Sequence, residues 1–129
     1  MKRSNGACFL KILLDQSGEF MPVQISPATL KEWLDQGLSV YLLDVRQPWE
    51  NQFAAIPNSV LVSLGDLSNS LDEITPPKDA KVVVYCHHGV RSLSGAAILE
   101  NAGITPAYSL AGGIEAWSCE IDPNIPRYR

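Results

Sequence analysis

The chain is 129 residues long, 46% hydrophobic and 19% charged, with a formal charge of −4. That length fits one domain, and the apolar content excludes a disordered chain. The acidic balance excludes nucleic acid or an anionic membrane surface as the main partner. Three cysteines, Cys8, Cys86 and Cys119, are widely spaced with no C-x-x-C pair. This excludes a disulfide framework and a zinc site, and it points to a reducing, cytoplasmic setting.

Residues 1–21 read as an irregular N-terminal extension, with Met21 as an alternative start. The apolar stretch Ala7 to Leu14 is broken by Lys11, and Asp15 to Glu19 lacks a small-x-small cleavage site, so it makes a poor signal peptide. No run approaches the ~18 apolar residues of a membrane helix. Residues 22–129 form a single domain. Ser26-Pro27 starts a helix, with serine as the N-cap and proline in the first turn, and Gly37 ends it. Val40 to Val45 is a continuous apolar run, as expected of a strand buried on both faces. Pro48 opens a helix through Phe53, Ile56 to Ser59 is a turn, and Val60 to Val62 is a short strand. A helix is expected over Leu64–Leu71, then a loop at Thr75 to Asp79. Lys81 to Tyr85 is the central strand, and Val90 to Ala102 is a helix ended by Gly103. Ala107 to Leu110 is the last strand, Gly112-Gly113 leads into a helix from Ile114 to Ser118, and the proline-bearing tail is irregular. Strands alternating with helices give an α/β fold, a central parallel β-sheet flanked by helices on both faces.

Cys86 falls where the central strand ends and a short polar loop leads into a helix. Ligands bind at this edge of an open α/β sheet, and loop amides with a helix N-terminus favour an anion there. A thiol so placed is expected to act as a thiolate nucleophile rather than as an inert buried cysteine. Backbone N–H groups from His87 through Arg91 can point at the sulfur, and Gly89 allows the tight turn. A cation at a helix N-terminus opposes the helix dipole, so Arg91 is expected to have a compensating role. Binding an anion and favouring the thiolate would be that role. Ser92 supplies a hydroxyl to the loop or caps the helix. The rings of His87 and His88 are bystanders whose amides matter more, and no third ligand stands nearby for a metal. Asp44 and Arg46, after the first long strand, brace loops. Asp44 accepts from loop amides, and Arg46 pairs with Glu50 or reaches the pocket. Trp33, Trp49 and Trp117 are core or pocket wall, while Cys8 and Cys119 carry no role.

Four segments in order resemble the rhodanese-like sulfurtransferase family. Asp44-Val45-Arg46-Gln47-Pro48-Trp49-Glu50 resembles its D-V-R-x-x-x-E segment, and Ala55-Ile56-Pro57-Asn58-Ser59 its G-H-I-P-G-A turn. Cys86-His87-His88-Gly89-Val90-Arg91-Ser92 resembles its C-x-x-G-x-R-S loop, and Leu110 to Trp117 its L-x-G-G-x-x-x-W ending. The tail, Asp122-Pro123 and Pro126-Arg127-Tyr128, is similar to rhodanese domains fused to molybdopterin- or thiamine-pathway activating enzymes. Ala55 and Asn58 depart from the family turn. The resemblance implies a rhodanese-like fold and a persulfide on Cys86. The sulfur comes from a donor such as thiosulfate and passes to cyanide, a thiol or a protein, thioredoxin-like or sulfur-carrying. No cofactor is implied. Two other readings belong to this fold: an arsenate reductase or phosphatase-like enzyme, and a non-catalytic interaction module. Phosphatases of this fold have C-x-x-x-x-x-R, whereas four residues separate Cys86 from Arg91. The shorter loop makes a cradle for a single sulfur rather than a tetrahedral phosphate. Interaction modules usually lack the cysteine.

Overall fold

A computed structural model describes residues 22–129; Cys8 and the 1–21 extension lie outside the described residues. Five parallel strands form one sheet in the order β1-β5-β4-β2-β3. They are β1 (Gln24–Ile25), β2 (Val40–Asp44), β3 (Ser59–Leu61), β4 (Lys81–Tyr85) and β5 (Ala107–Leu110). The helices are α1 (Pro27–Asp35), α2 (Pro48–Phe53), α3 (Leu64–Leu67), α4 (Val90–Asn101) and α5 (Gly113–Glu120).

The central strands are apolar along their length because both faces are covered. Along β2 and β4 the side chains alternate between two cores. Leu42, Val83 and Tyr85 join Leu30 of α1 with Ile114 and Trp117 of α5. Leu43, Val82 and Val84 join Leu67 of α3 with Ala96 and Leu99 of α4. Val83 and Val84 are fully buried, and each contributes about 1.5–3 kcal/mol over an exposed side chain. The parallel, doubly covered sheet expected from the alternation is therefore present.

Local details differ in three places. β1 has two residues, too few to show an alternation, although Ile25 is buried in the core; backbone bonds hold it, Ser109 N to Val23 O and Ala111 N to Ile25 O. The helix expected over Leu64–Leu71 is shorter. After Leu67 the amides of Asn69 and Ser70 bond three residues back, and a 3₁₀ turn at Leu71–Glu73 follows. The polar Ser68-Asn69-Ser70 run competes for backbone partners and breaks the ladder. In turn α5 runs past Ser118 to Glu120. The α1 start is as read: Ser26 Oγ accepts from Thr29 N at 3.1 Å.

Candidate active site

β4 sits between β5 and β2 and delivers Cys86 to the carboxyl edge of the sheet, with 1% of the residue exposed. The next residues curl so that the chain re-enters α4 within hydrogen-bond reach of the sulfur. Gly89 N donates to Cys86 Sγ at 3.1 Å and Ser92 N at 3.3 Å. The thiol points at Ser92 Oγ, 3.5 Å away, which in turn lies 2.7 Å from Ser109 Oγ on β5. Two amides aimed at one sulfur, at the first turn of a twelve-residue helix, stabilise negative charge there.

The amides point inward because the carbonyls are drawn outward. Ile114 N donates to Cys86 O at 2.9 Å and Glu115 N to His87 O at 3.1 Å. The otherwise unpartnered N–H groups at the start of α5 thus fix the loop. Two glycines make this contact possible. Gly89 has φ +102°, and a Cβ there would press on the Gly112 amide. Gly113 has φ +62°, and a Cβ would fall on the carbonyls of Cys86 and His87.

Ser92 meets the sulfur through both amide and hydroxyl, whereas the cap position of α4 is Gly89. Val90 stands outward beside the loop, strongly exposed. Arg91 does not stand free for an anion: its guanidinium forms a two-bond pair with Glu50, Nη1 to Oε1 at 2.8 Å and Nη2 to Oε2 at 3.0 Å.

Arg46 departs from both expected roles. It is fully buried and pairs with Asp44 through Nε (2.8 Å) and Nη2 (2.7 Å). It also donates to Ala54 O at 2.7 Å and Tyr128 Oη at 2.8 Å, and meets Glu50 only at its carbonyl, 3.4 Å away. The Glu50 carboxylate is already committed to Arg91. Burial lowers the pKa of Arg46, but the bonds to Asp44 and Tyr128 outweigh it and hold the pKa above its ordinary value. Asp44 accepts from the Arg46 amide at 3.0 Å, as read, and also from Asn51 Nδ2 at 2.9 Å.

The His87 ring is more than a bystander to the fold. It stacks on Tyr128 with centroids 3.9 Å apart and an angle of 9°, with His88 on its other side. Its Nε2 is buried without a hydrogen bond, 3.8 Å from Glu115 Oε1. Burial, then the neighbouring His88, pushes its pKa below the ordinary histidine value, against Glu115 and Glu50. Glu115 is instead bridged by Arg127. Trp117 is core and Trp33 forms a T-shaped pair with Tyr108, but Trp49 is 58% exposed, neither core nor buried wall, with Tyr128 packed beside it at a steep angle. Cys119 is exposed, near Glu115.

Three contributors escaped the sequence reading: Ser109, Tyr128 and the Glu50 carboxylate as partner of Arg91. Tyr128 donates to Glu50 Oε2 at 2.7 Å. Burial alone raises the pKa of Glu50, but bonds from Arg91, the Gln47 amide and Tyr128 outweigh it and lower the value to about 2. Glu50 was in view only inside the D-V-R-x-x-x-E segment, and Tyr128 only as part of the tail. Among the described residues no group of three His, Cys, Asp or Glu side chains forms a metal site, and no helix is long and apolar enough to cross a membrane.

The rhodanese-like domain family model matches residues 26–120. The chain is 35% identical to the "Probable adenylyltransferase/sulfurtransferase MoeZ" of Mycobacterium tuberculosis over 104 residues, covering 81% of this chain and 26% of that protein. It therefore spans about a quarter of the length of that relative. It is 34% identical to a sulfurtransferase of Allochromatium vinosum, covering 74% of this chain and 87% of that one. Among solved structures it superposes on a rhodanese-related protein of Thermoplasma volcanium with a TM-score of 0.66 and 30% identity, covering 81% of this chain and 95% of that one. By the family match, the sheet order and the loop around its cysteine, the chain belongs to the rhodanese-like domain family.

Proposed function

We propose that the chain is a sulfurtransferase that carries a sulfane sulfur as a persulfide on Cys86. The observation that carries this reading is the pair of amides, from Gly89 and Ser92, aimed at Sγ inside a loop with four residues between Cys86 and Arg91. The Cys86 thiolate attacks the outer sulfur of a donor such as thiosulfate. A Sγ–S bond forms, the donor's S–S bond breaks, and sulfite leaves with the electron pair. Cyanide, a thiol or a protein thiol then attacks the outer sulfur and regenerates the thiolate. Negative charge stays on sulfur throughout, which is what the fixed amides favour. Neither step needs a general base if the thiol enters ionised, so the His87 and His88 rings need not relay a proton.

The relatives support a transferase of sulfur in general. The joining of adenylyltransferase and sulfurtransferase in the MoeZ name favours a sulfur-carrying protein among the acceptors. The chemistry suits a reducing, cytoplasmic compartment, where free thiols persist. The compact loop disfavours the phosphatase and arsenate readings. The test is thiocyanate formation from thiosulfate and cyanide. Cys86→Ser abolishes it under this reading, and an unchanged rate in that variant sinks it.

A further inference from the structure

We infer that Glu50 is a specificity-determining residue of this site, because it keeps the charge of Arg91 neutralised and so denies small, highly charged anions the one cation the loop itself carries. This rests on the sulfur-transfer reading and goes further, by saying what the mouth selects against.

Each carboxylate oxygen of Glu50 holds two donors. Oε1 takes Arg91 Nη1 at 2.8 Å and the Gln47 amide at 3.0 Å. Oε2 takes Arg91 Nη2 at 3.0 Å and Tyr128 Oη at 2.7 Å. Arg46 Nη1 donates to the phenol oxygen, which turns the phenol proton toward Glu50. The acid is thus the fixed member of the pair. Its side chain is 5% exposed, while that of Arg91 is 37% exposed and is the half that meets solvent.

An anion that recruits Arg91 must take it from Glu50, leaving a buried carboxylate without its charge partner. An anion that leaves the pair intact meets both charges at once, and their fields nearly cancel. The penalty grows with the charge of the donor, so a dianion such as thiosulfate is disfavoured most. A sulfane sulfur of low charge loses nothing. Arg91 directly precedes Ser92, whose amide donates to Cys86 Sγ at 3.3 Å, so the pair stands beside the place where a donor arrives.

The test is alkylation of Cys86 by iodoacetate and by iodoacetamide, followed on the Cys86 peptide by mass spectrometry. The ratio of the two rates reads the local charge without requiring sulfur transfer. With an effective dielectric between protein and water, unmasking one unit charge several ångströms away raises the ratio about fivefold in Glu50→Gln, and raises kcat/KM for thiosulfate by about the square of that factor, some 25-fold. Arg91→Ala lowers the ratio, and the double variant Glu50→Gln with Arg91→Ala returns it to within about twofold of the parent. In the unaltered protein the ratio changes less than about twofold between about 0.02 and 0.5 M salt, because a neutralised pair leaves little field to screen. This last measurement decides the matter if Glu50→Gln fails to fold. A ratio unchanged or lowered in Glu50→Gln, or a steep fall with salt in the parent, overturns the inference. Failure of the sulfur-transfer reading looks different: no thiocyanate from the parent or from Glu50→Gln, with the alkylation pattern intact.

Discussion

Replacing Asp44 by alanine removes the acid from a pair in which both side chains are fully buried, and it leaves the Arg46 guanidinium in the core. Arg46 keeps Ala54 O, Tyr128 Oη and a long contact to Glu50 O, all of them neutral acceptors. Breaking a buried pair from one side costs about 3–5 kcal/mol, because the remaining charge stays out of water. The Arg46 amide and Asn51 Nδ2 also lose their acceptor, adding about 1 kcal/mol for the buried amide. A total near 5 kcal/mol lowers the melting temperature of a domain this size by about 15 °C or more. Urea unfolding followed by circular dichroism measures it. The double variant Asp44→Ala with Arg46→Met recovers about 2 kcal/mol, since removing both charges removes the stranded one. A loss below about 1 kcal/mol in the single variant, or a double variant less stable than the single, would mean that no stranded charge is left when Asp44 is removed.

Two further outcomes follow from the loop and its charges. Gly113→Ala forces α5 off the Cys86 and His87 carbonyls, so it lowers stability by at least about 1 kcal/mol and slows thiocyanate formation at least about tenfold, as fits a misplaced reactive atom; parental activity contradicts it. Acid weakens the fold in two windows. The pKa of His87 is lowered by burial, so the unfolded chain takes up its proton first, and stability is lost as pH falls below about 6.5. Glu50 is lowered to about 2 from 4.5, so its contribution is complete above 4.5 and is lost as pH falls toward 2. That contribution is at most about 3 kcal/mol, and less because Arg91 is partly in water. Urea unfolding at a series of pH values checks both, and Glu50→Gln flattens the lower window; an unchanged slope there contradicts the assignment.

The sheet was readable because its strands are long apolar runs punctuated by glycine and proline, and because a parallel sheet buries both faces of Val82-Val83-Val84. The edge strand β1 was not, since it is only two residues long, and one buried side chain, Ile25, is too little to make a pattern. Cys86, Gly89 and Ser92 were legible because a strand, a tight turn and a helix start place them within one short span. The partner of Arg91 was not, although Glu50 stood in plain sight. A pair of carboxylates, Asp44 and Glu50, faced a pair of arginines, and local spacing favoured pairing Arg46 with Glu50. The fold chose otherwise: Arg46 turns back two residues onto Asp44, and Arg91 reaches Glu50 from 41 residues away. Tyr128 enters from the tail across 78 residues to Glu50. Contacts of that separation are set by topology, and no periodicity records them.

Cys86 is the residue proposed to carry the sulfur. Intact-mass analysis after thiosulfate treatment, with peptide mapping and a dithiothreitol-treated control, reads that sulfur on the protein itself. The expected species is heavier by one sulfur atom, located on Cys86, lost on reduction and absent from Cys86→Ser. No added sulfur on Cys86, or an addition that persists in Cys86→Ser, contradicts it.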